Sequence, residues 1–174
     1  MELIQFTSTL KPDGKEYKKV VYWNRFVRMK LETVILVLLF ISGIFLLANS
    51  ADKIMFLVVG ALFVIFPIII IIQLNSSIRY HLENRDKLES MPCTFTIMTN
   101  GILTDIREAD YTKLTKWEES DKVYNAVGYY MFFKGNTMTI MVDKSAIPDD
   151  KRELAHKYIT DGMRAAKKNK KRQK

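Results

Sequence analysis

Two long apolar runs dominate the pattern of hydrophobic and polar positions in this chain. The first covers residues 31–48 and has one charged residue, Glu32, at its edge, whereas the second covers residues 54–74 and has none. A helix needs about 20 apolar residues to cross the roughly 30 Å hydrocarbon core of a bilayer. The pattern therefore predicts two membrane-spanning helices joined by a tight reversal. The alternative, a soluble protein with two buried helices, is disfavoured because a core helix of this length rarely lacks a polar face.

Small residues within the two runs predict where the helices touch. Ser42 and Gly60 lie at the same separation from the middle of the loop, and Gly43 and Ala61 lie beside them. Small side chains let helix backbones approach closely in lipid, so these four residues form the predicted helix–helix contact. Pro67 predicts a local kink in the second helix. The interiors of both runs lack ionisable residues, which argues against an ion or proton pathway built by one chain.

The segments on either side of the hairpin have a mixed polar and apolar pattern. Residues 1–30 predict a short strand and then an amphipathic helix, in which Trp23 and Phe26 are interleaved with cations. Such a helix suits either the membrane interface or the surface of a folded domain. After the second run, the helical period continues through a charged stalk, residues 75–91, which Pro92 ends.

From Cys93 onward the spacing of apolar residues changes from the helical period to alternation, which is typical of strands. Asn100 and Gly101 form a strong hairpin signal. The predicted strands cover residues 93–98, 102–107, 112–117, 122–125, 127–134 and 137–143. They form an antiparallel meander with one buried face.

A closing helix is predicted after Pro148, because Ala155, Ile159 and Ala166 belong to one apolar stripe. The resulting fold class is an α+β membrane protein. It consists of a two-helix transmembrane hairpin followed by a domain, residues 92–166, in which an antiparallel meander is capped by a C-terminal amphipathic helix. This is the outline of a pleckstrin-homology-like barrel, and the N-terminal strand is a candidate seventh strand.

The net charge of +8 is concentrated at the C-terminus. Residues 164–174 contain seven basic and no acidic residues, whereas residues 75–163 contain 12 basic and 14 acidic residues. The polybasic tail, residues 167–174, suits anionic lipid or a disordered, solvated segment. Nucleic-acid binding is not expected, because the folded part is not basic.

Some of these cations are candidates for a surface that faces lipid headgroups or a partner protein, with a solvated sheet rim as the alternative for those within the strands. The candidates are Lys113, Lys116, Lys122, Lys134, Lys167, Lys168, Lys170, Lys171 and Arg172.

Basic residues near the predicted spans indicate their orientation. Residues 1–30 contain seven Lys and Arg residues, the hairpin loop contains Lys53 alone, and the cations resume after the second span with Arg79, Arg85 and Lys87. Both termini are therefore predicted to lie in the cytoplasm, with a two-span anchor in the cell membrane.

The residues that catalysis and metal binding require are sparse in this sequence. It has one cysteine, Cys93, two widely separated histidines, and no glycine-rich phosphate loop. Two carboxylate pairs, at residues 118–119 and 149–150, suit a loop surface and a helix start better than acid–base chemistry. No catalytic residue, metal site or cofactor is predicted, and the protein is expected not to be an enzyme.

The order of these elements resembles that of YcxB-like membrane proteins, a bacterial family. The stretches that carry the resemblance are residues 17–23, 114–117, 122–123, 129–133 and 141–147, which include Lys144. Relatives often have proline before that lysine, whereas this chain has Asp143. The resemblance implies two spans and a C-terminal pleckstrin-homology-like domain. It implies no established reaction or ligand.

These observations predict a membrane-anchored cytoplasmic module that binds a partner protein or anionic lipid headgroups. The alternative is an accessory subunit of a transporter or envelope complex, whose hairpin contacts other helices through Ser42, Gly43, Gly60 and Ala61.

Overall fold

The computed structural model describes residues 3–50 and 53–172. Its contacts divide the chain into two compact units. The first is helical and consists of Asp13–Arg85. The second is an α+β unit built from the residues before and after that segment.

The helical unit begins with α1, Gly14–Tyr22, which continues as a π-helical segment, Trp23–Arg28. Met29 ends this segment in a non-helical conformation, so the helix predicted to reach residue 30 stops short. The side chain of Tyr22 donates a hydrogen bond to the Asn75 amide oxygen over 3.1 Å, which ties the first helix to the last helix of this unit.

Two long helices form the rest of this unit, α2 at Lys30–Ala48 and α3 at Ile54–Glu83. Both are long and apolar enough to cross a membrane by length and composition, as predicted. α3 ends at Glu83, and the side chain of Asn84 donates a hydrogen bond to the Tyr80 carbonyl. The prediction of one helix through residue 91 is therefore wrong beyond Glu83.

The described residues of the α+β unit form seven strands in two antiparallel sheets. In chain order, the first sheet consists of β1 (Ile4–Thr9), β2 (Pro92–Met98), β3 (Gly101–Ile106) and β4 (Tyr111–Lys116), and the second of β5 (Lys122–Ala126), β6 (Tyr129–Lys134) and β7 (Thr137–Asp143). A one-turn helix, α4 (Lys87–Ser90), precedes β2. The N-terminal strand does join the sheet, because Ile4 pairs with Ile97 and Phe6 with Phe95.

Three strand predictions include a residue that the structure places outside the strand. Arg107, predicted to end the second strand of the meander, begins a 3-10 turn after β3. Trp117 is not in a strand but is the buried first residue of a 3-10 turn, Trp117–Glu119. Val127 and Gly128 have positive φ angles of 46° and 88° and form the two-residue turn between β5 and β6, so β6 begins at Tyr129.

The prediction of a sheet with one buried face is wrong for β6. Tyr130 and Phe132 belong to the main core, yet Met131 and Phe133 on the opposite face are also fully buried. β6 is the central strand of its sheet, and Tyr124 of β5 packs edge-to-face on Phe133 at 5.5 Å between ring centroids. Side chains of the neighbouring strand therefore help to cover the second face.

The unit closes with α5, Arg152–Arg172, after a 3-10 turn. Ala155, Ile159 and Ala166 are buried in the core between the helix and the sheets, which confirms the predicted apolar stripe. The helix continues through residues 167–172, so this part of the basic tail is helical. The last two residues of the predicted tail, 173 and 174, lie outside the described residues.

Candidate functional site

A groove of about 400 Å³ lies between β5 and α5. Three residues of β5, four of α5 and Asp121, which directly precedes β5, line it. The lining residues are Asp121, Lys122, Val123, Tyr124, Thr160, Met163, Arg164 and Lys167. We call this surface the β5–α5 groove.

The helical side of the groove follows from the spacing of its residues. Thr160, Met163, Arg164 and Lys167 are three or four residues apart, so they lie on one face of α5. Ile159 and Ala166 are buried against the sheets beside this face, and they hold it at the rim of the core. Both cations of the face are exposed.

The strand side of the groove is the edge of a sheet. β5 pairs with β6 on one side, and in the described part of the chain no strand pairs with its other side. Hydrogen-bonded and non-hydrogen-bonded pairs alternate along an antiparallel ladder that begins at a two-residue turn. Val123 and Asn125 occupy the non-hydrogen-bonded pairs with Phe132 and Tyr130, so their backbone N–H and C=O groups point away from β6.

An acidic residue at the end of the groove is already neutralised. The Lys170 ammonium lies 2.7 Å from Asp121 Oδ1 and also donates to the Ser120 carbonyl at 3.2 Å. The Gly135 N–H donates to Asp121 Oδ2 over 2.9 Å. The hydrogen bond from Lys170, then that from Gly135, and the positive charge of Lys170 hold the pKa of Asp121 below its ordinary value.

The remaining charges of the groove are positive. Lys122 and Lys167 form no ion pair with any residue that the structure describes. Arg164 lies 3.8 Å from Asp161 in an exposed pair on the same helix, which contributes little because water screens it. The groove therefore presents three cations around an apolar floor that includes Val123 and Met163.

The predicted basic residues are divided among several places. Lys122 and Lys167 line the groove, and Lys170 and Lys134 both act on Asp121 at its end. Lys113 lines a different cavity.

The other predicted cations lie away from the groove. Lys116 is exposed at the end of β4, and Lys168 and Lys171 are exposed on α5. The side chain of Arg172 lies outside the described part of the chain.

Sequence reasoning missed Arg164, Thr160 and Met163. A usable signal was present, because Arg164 lies three residues before Lys167 and so shares its helical face. What the sequence did not contain was the strand that would lie beside that face.

Gly43 and Gly60 bring the backbones of α2 and α3 close together. A Cβ placed on Gly43 would lie 2.9 Å from the Gly60 carbonyl oxygen, and one on Gly60 would lie 3.0 Å from the Gly43 carbonyl oxygen. Ala61 is half-buried nearby, whereas Ser42 is exposed. The expectation that Ser42 faces Gly60 is wrong by one residue, because helical rotation turns Ser42 away when Gly43 faces the partner helix.

Among the described residues, no group of three or more His, Cys, Asp and Glu side chains is arranged to hold a metal ion. No protein-family model, curated protein or solved structure matches this chain.

Proposed function

We propose that this protein is a membrane-anchored binding module whose β5–α5 groove takes an extended, acidic segment of a partner protein. The observation that carries the proposal is the open edge of β5 beside the cations of Lys122, Arg164 and Lys167. The proposal has two parts, the anchor and the groove, and each part has its own test.

The exposure of α2 and α3 supports the anchor. In the most apolar stretch of each helix, 6% of the residues in α2 and 11% of those in α3 are buried, and many large apolar side chains are exposed. Apolar surface in water is unfavourable by about 25 cal/mol per Å², whereas hydrocarbon solvates it. A helix also satisfies its own backbone hydrogen bonds in lipid. A bilayer is therefore the solvent that suits these two helices.

The backbone of β5 supports an extended peptide as the ligand. A segment that adds to a sheet edge gains main-chain hydrogen bonds from the strand, and pockets beside the edge select its side chains. Val123 and Met163 would contact apolar side chains, and the three cations would pair with carboxylates. A lipid headgroup would use the cations but leave the strand edge unpaired, which is why we favour a protein segment.

The sequence supports the location and family that accompany this proposal. The surplus of basic residues outside the hairpin loop favours two cytoplasmic termini and a cell-membrane location. Seven strands in two sheets followed by a helix agree with the pleckstrin-homology-like interpretation. The order of strand, hairpin and small β-rich unit agrees with the resemblance to the bacterial YcxB-like proteins.

An accessory-subunit role through the hairpin has less support. Its small-residue contact was expected to bind other helices, but Gly43 and Gly60 already approach each other within this chain. Ser42 alone of the four is exposed. We therefore place the binding activity in the β5–α5 groove, and we expect the protein not to be an enzyme.

The anchor is tested on the untagged full chain expressed in cells. After lysis without detergent, we expect the protein in the membrane pellet, and we expect it to stay there through an alkaline carbonate wash. Recovery in the supernatant would refute the anchor but would leave the groove untested, so the two failures are distinguishable.

The groove is tested on the full chain in nanodiscs of neutral lipid. The probe is a short labelled peptide that alternates glutamate and valine, and binding is followed by fluorescence anisotropy. Replacing both Lys122 and Lys167 with Glu is expected to weaken binding by more than about tenfold, a loss above roughly 1.4 kcal/mol.

A matched control has the same change in net charge. The exposed residues Lys116 and Lys157 lie on a strand and on α5 but do not line the groove, so replacing both with Glu should leave the affinity within about twofold. Equal losses in the two double variants would indicate non-specific attraction. Binding to vesicles of anionic lipid without binding to the peptide would favour the lipid interpretation instead.

A further inference from the structure

A second cavity, of about 200 Å³, lies between the two sheets of the α+β unit. One wall is formed by Thr104 of β3 together with Lys113 and Thr115 of β4, and the other by Ile140 and Met141 of β7. We call this cavity the inter-sheet cleft. It shares no lining residue with the β5–α5 groove.

The wall formed by Thr104, Lys113 and Thr115 is polar, although it belongs to the sheet face that contributes to the core. Thr104 pairs with Lys113 and with Phe95, and Ile102 pairs with Thr115, so all five residues lie on one face of the first sheet. Phe95 and Ile102 are core residues. This face of the first sheet is therefore apolar at Phe95 and Ile102 but polar at Thr104, Lys113 and Thr115, which line the cleft.

The hydroxyl of Thr104 points to a missing hydrogen-bonding partner. The residue is 3% exposed, and its Oγ1 is buried without a hydrogen bond to any residue that the structure describes. A buried hydroxyl without a partner is unfavourable, and such groups in folded proteins usually contact an ordered water or a ligand. Because Thr104 lines the cleft, its partner would occupy that space.

The charges around the cleft favour an anion. Lys11 and Glu89 also line it, but they form an ion pair with each other. Lys113 forms no ion pair within the described residues, so its ammonium leaves the cleft with an excess positive charge.

The volume of the cleft and the apolar side chains of its other wall indicate which kind of anion fits. A single water molecule takes up about 30 Å³ in the liquid, so the cleft is too large for one water to fill. Ile140, which is on the core face of β7, and Leu10 add apolar side chains to the cleft beside the hydroxyl and the ammonium. An ion without an apolar part would leave that surface uncovered.

We propose that the inter-sheet cleft binds a small carboxylate with a short apolar body. The carboxylate oxygens accept hydrogen bonds from the Thr104 hydroxyl and the Lys113 ammonium. The apolar body packs against Ile140 and Leu10. This site is separate from the β5–α5 groove, so a failure of either proposal leaves the other in place.

The test uses the full chain in detergent micelles, with butyrate as the probe. Butyramide has the same shape without the charge, and inorganic phosphate has the charge without the apolar body. We expect butyrate to raise the thermal midpoint and to show saturable binding by calorimetry, and we expect neither result with butyramide or phosphate. Failure of butyrate to bind at millimolar concentrations, or binding of phosphate alone, would overturn the proposal.

Two substitutions connect the binding to named atoms. Thr104→Val keeps the shape but removes the hydroxyl, and Lys113→Met keeps the length but removes the charge. Each should weaken butyrate binding by at least about tenfold. Lys116→Met is the matched control, because Lys116 lies on the opposite face of β4 and should leave binding unchanged. Equal binding by the Thr104→Val variant and the unaltered protein would refute the assigned contact.

The unliganded Thr104→Val variant gives an independent readout. Since the hydroxyl has no partner among the described residues, its removal should raise the thermal midpoint of the free protein while it weakens butyrate binding. A residue with a structural role alone would lower the midpoint when altered. A lower midpoint would therefore overturn the premise that the hydroxyl awaits a ligand.

Discussion

Gly162 of α5 lies directly against the indole ring of Trp117. A Cβ placed on Gly162 would be 2.3 Å from Trp117 Nε1, closer than two such atoms can approach. The indole cannot retreat easily, because its N–H donates to the Thr99 carbonyl over 2.8 Å and its ring stacks on Phe132. The absent side chain of Gly162 therefore lets the helix pack on the 3-10 turn that follows β4.

The Gly162→Ala substitution is expected to destabilise the α+β unit, because overpacking costs about 1–3 kcal/mol. The better helix propensity of alanine offsets about 1 kcal/mol of that cost, so the net loss should be up to about 2 kcal/mol. Thermal unfolding followed by circular dichroism measures the change. Combining Gly162→Ala with Trp117→Leu should recover part of the loss, because the smaller side chain leaves room. Fully additive effects would show that the two residues are not in contact.

The close contact between Gly43 of α2 and Gly60 of α3 should not tolerate a larger side chain. Gly43→Val should force α2 and α3 apart, since the new Cβ would lie 2.9 Å from the Gly60 carbonyl oxygen. The distance between spin labels at the exposed positions Leu38 and Ile65 is expected to increase and broaden. The control is Ser42→Val at the exposed neighbouring position, which should leave the distance unchanged. An unchanged distance in both variants would contradict the contact.

The turn between β5 and β6 should be easy to stabilise. Val127 has φ of 46°, in the left-handed region that a β-branched side chain tolerates poorly. Val127→Asn is expected to stabilise the protein by about 1 kcal/mol, because asparagine accepts this conformation more readily. The adjacent Ala126 lies at the end of β5 and does not have a positive φ, so Ala126→Asn should bring no gain. Equal thermal midpoints for Val127→Asn and the parent would refute the assigned strain.

The buried thiol of Cys93 should make the stability of the protein decrease at high pH. The thiol is 1% exposed, and burial raises its pKa from 9.0 to about 11. Between these values the unfolded chain ionises while the folded protein does not, so stability that is present below pH 9 declines as the pH rises towards 11. The loss across this window should be on the order of 2 kcal/mol.

The difference between the parent and Cys93→Ala isolates this effect, because other groups titrate in both proteins. Urea unfolding at several pH values should give a difference in stability that falls between pH 9 and 11. Slow alkylation of the native protein by iodoacetamide at pH 8 is the companion expectation, because the buried thiol is protonated there. Rapid alkylation at pH 8 would show that the thiol is accessible and ionised.

The sequence by itself determined the secondary-structure elements that depend on neighbouring residues. Lys30–Ala48 and Ile54–Glu83 are apolar helices because length and the near absence of charge are properties of contiguous residues. The stripe through Ala155, Ile159 and Ala166 likewise identified α5 and its buried face, since helical spacing by itself groups those positions. The hairpin between β2 and β3 was also predicted from adjacent residues, but its turn is Thr99 and Asn100, one residue earlier than predicted, because Gly101 pairs with Met98 as the first residue of β3.

The tertiary structure was needed for features that depend on contacts between residues far apart in the sequence. The pairing of Ile4 with Ile97 spans the whole hairpin, and the choice of Gly43 over Ser42 depends on how one helix is rotated against the other. The β5–α5 groove exists because Lys122 and Lys167 are brought to neighbouring positions by packing. A sequence pattern records which face of an element is apolar, but it does not record which element covers that face, because that choice depends on the shape and burial of the complete core.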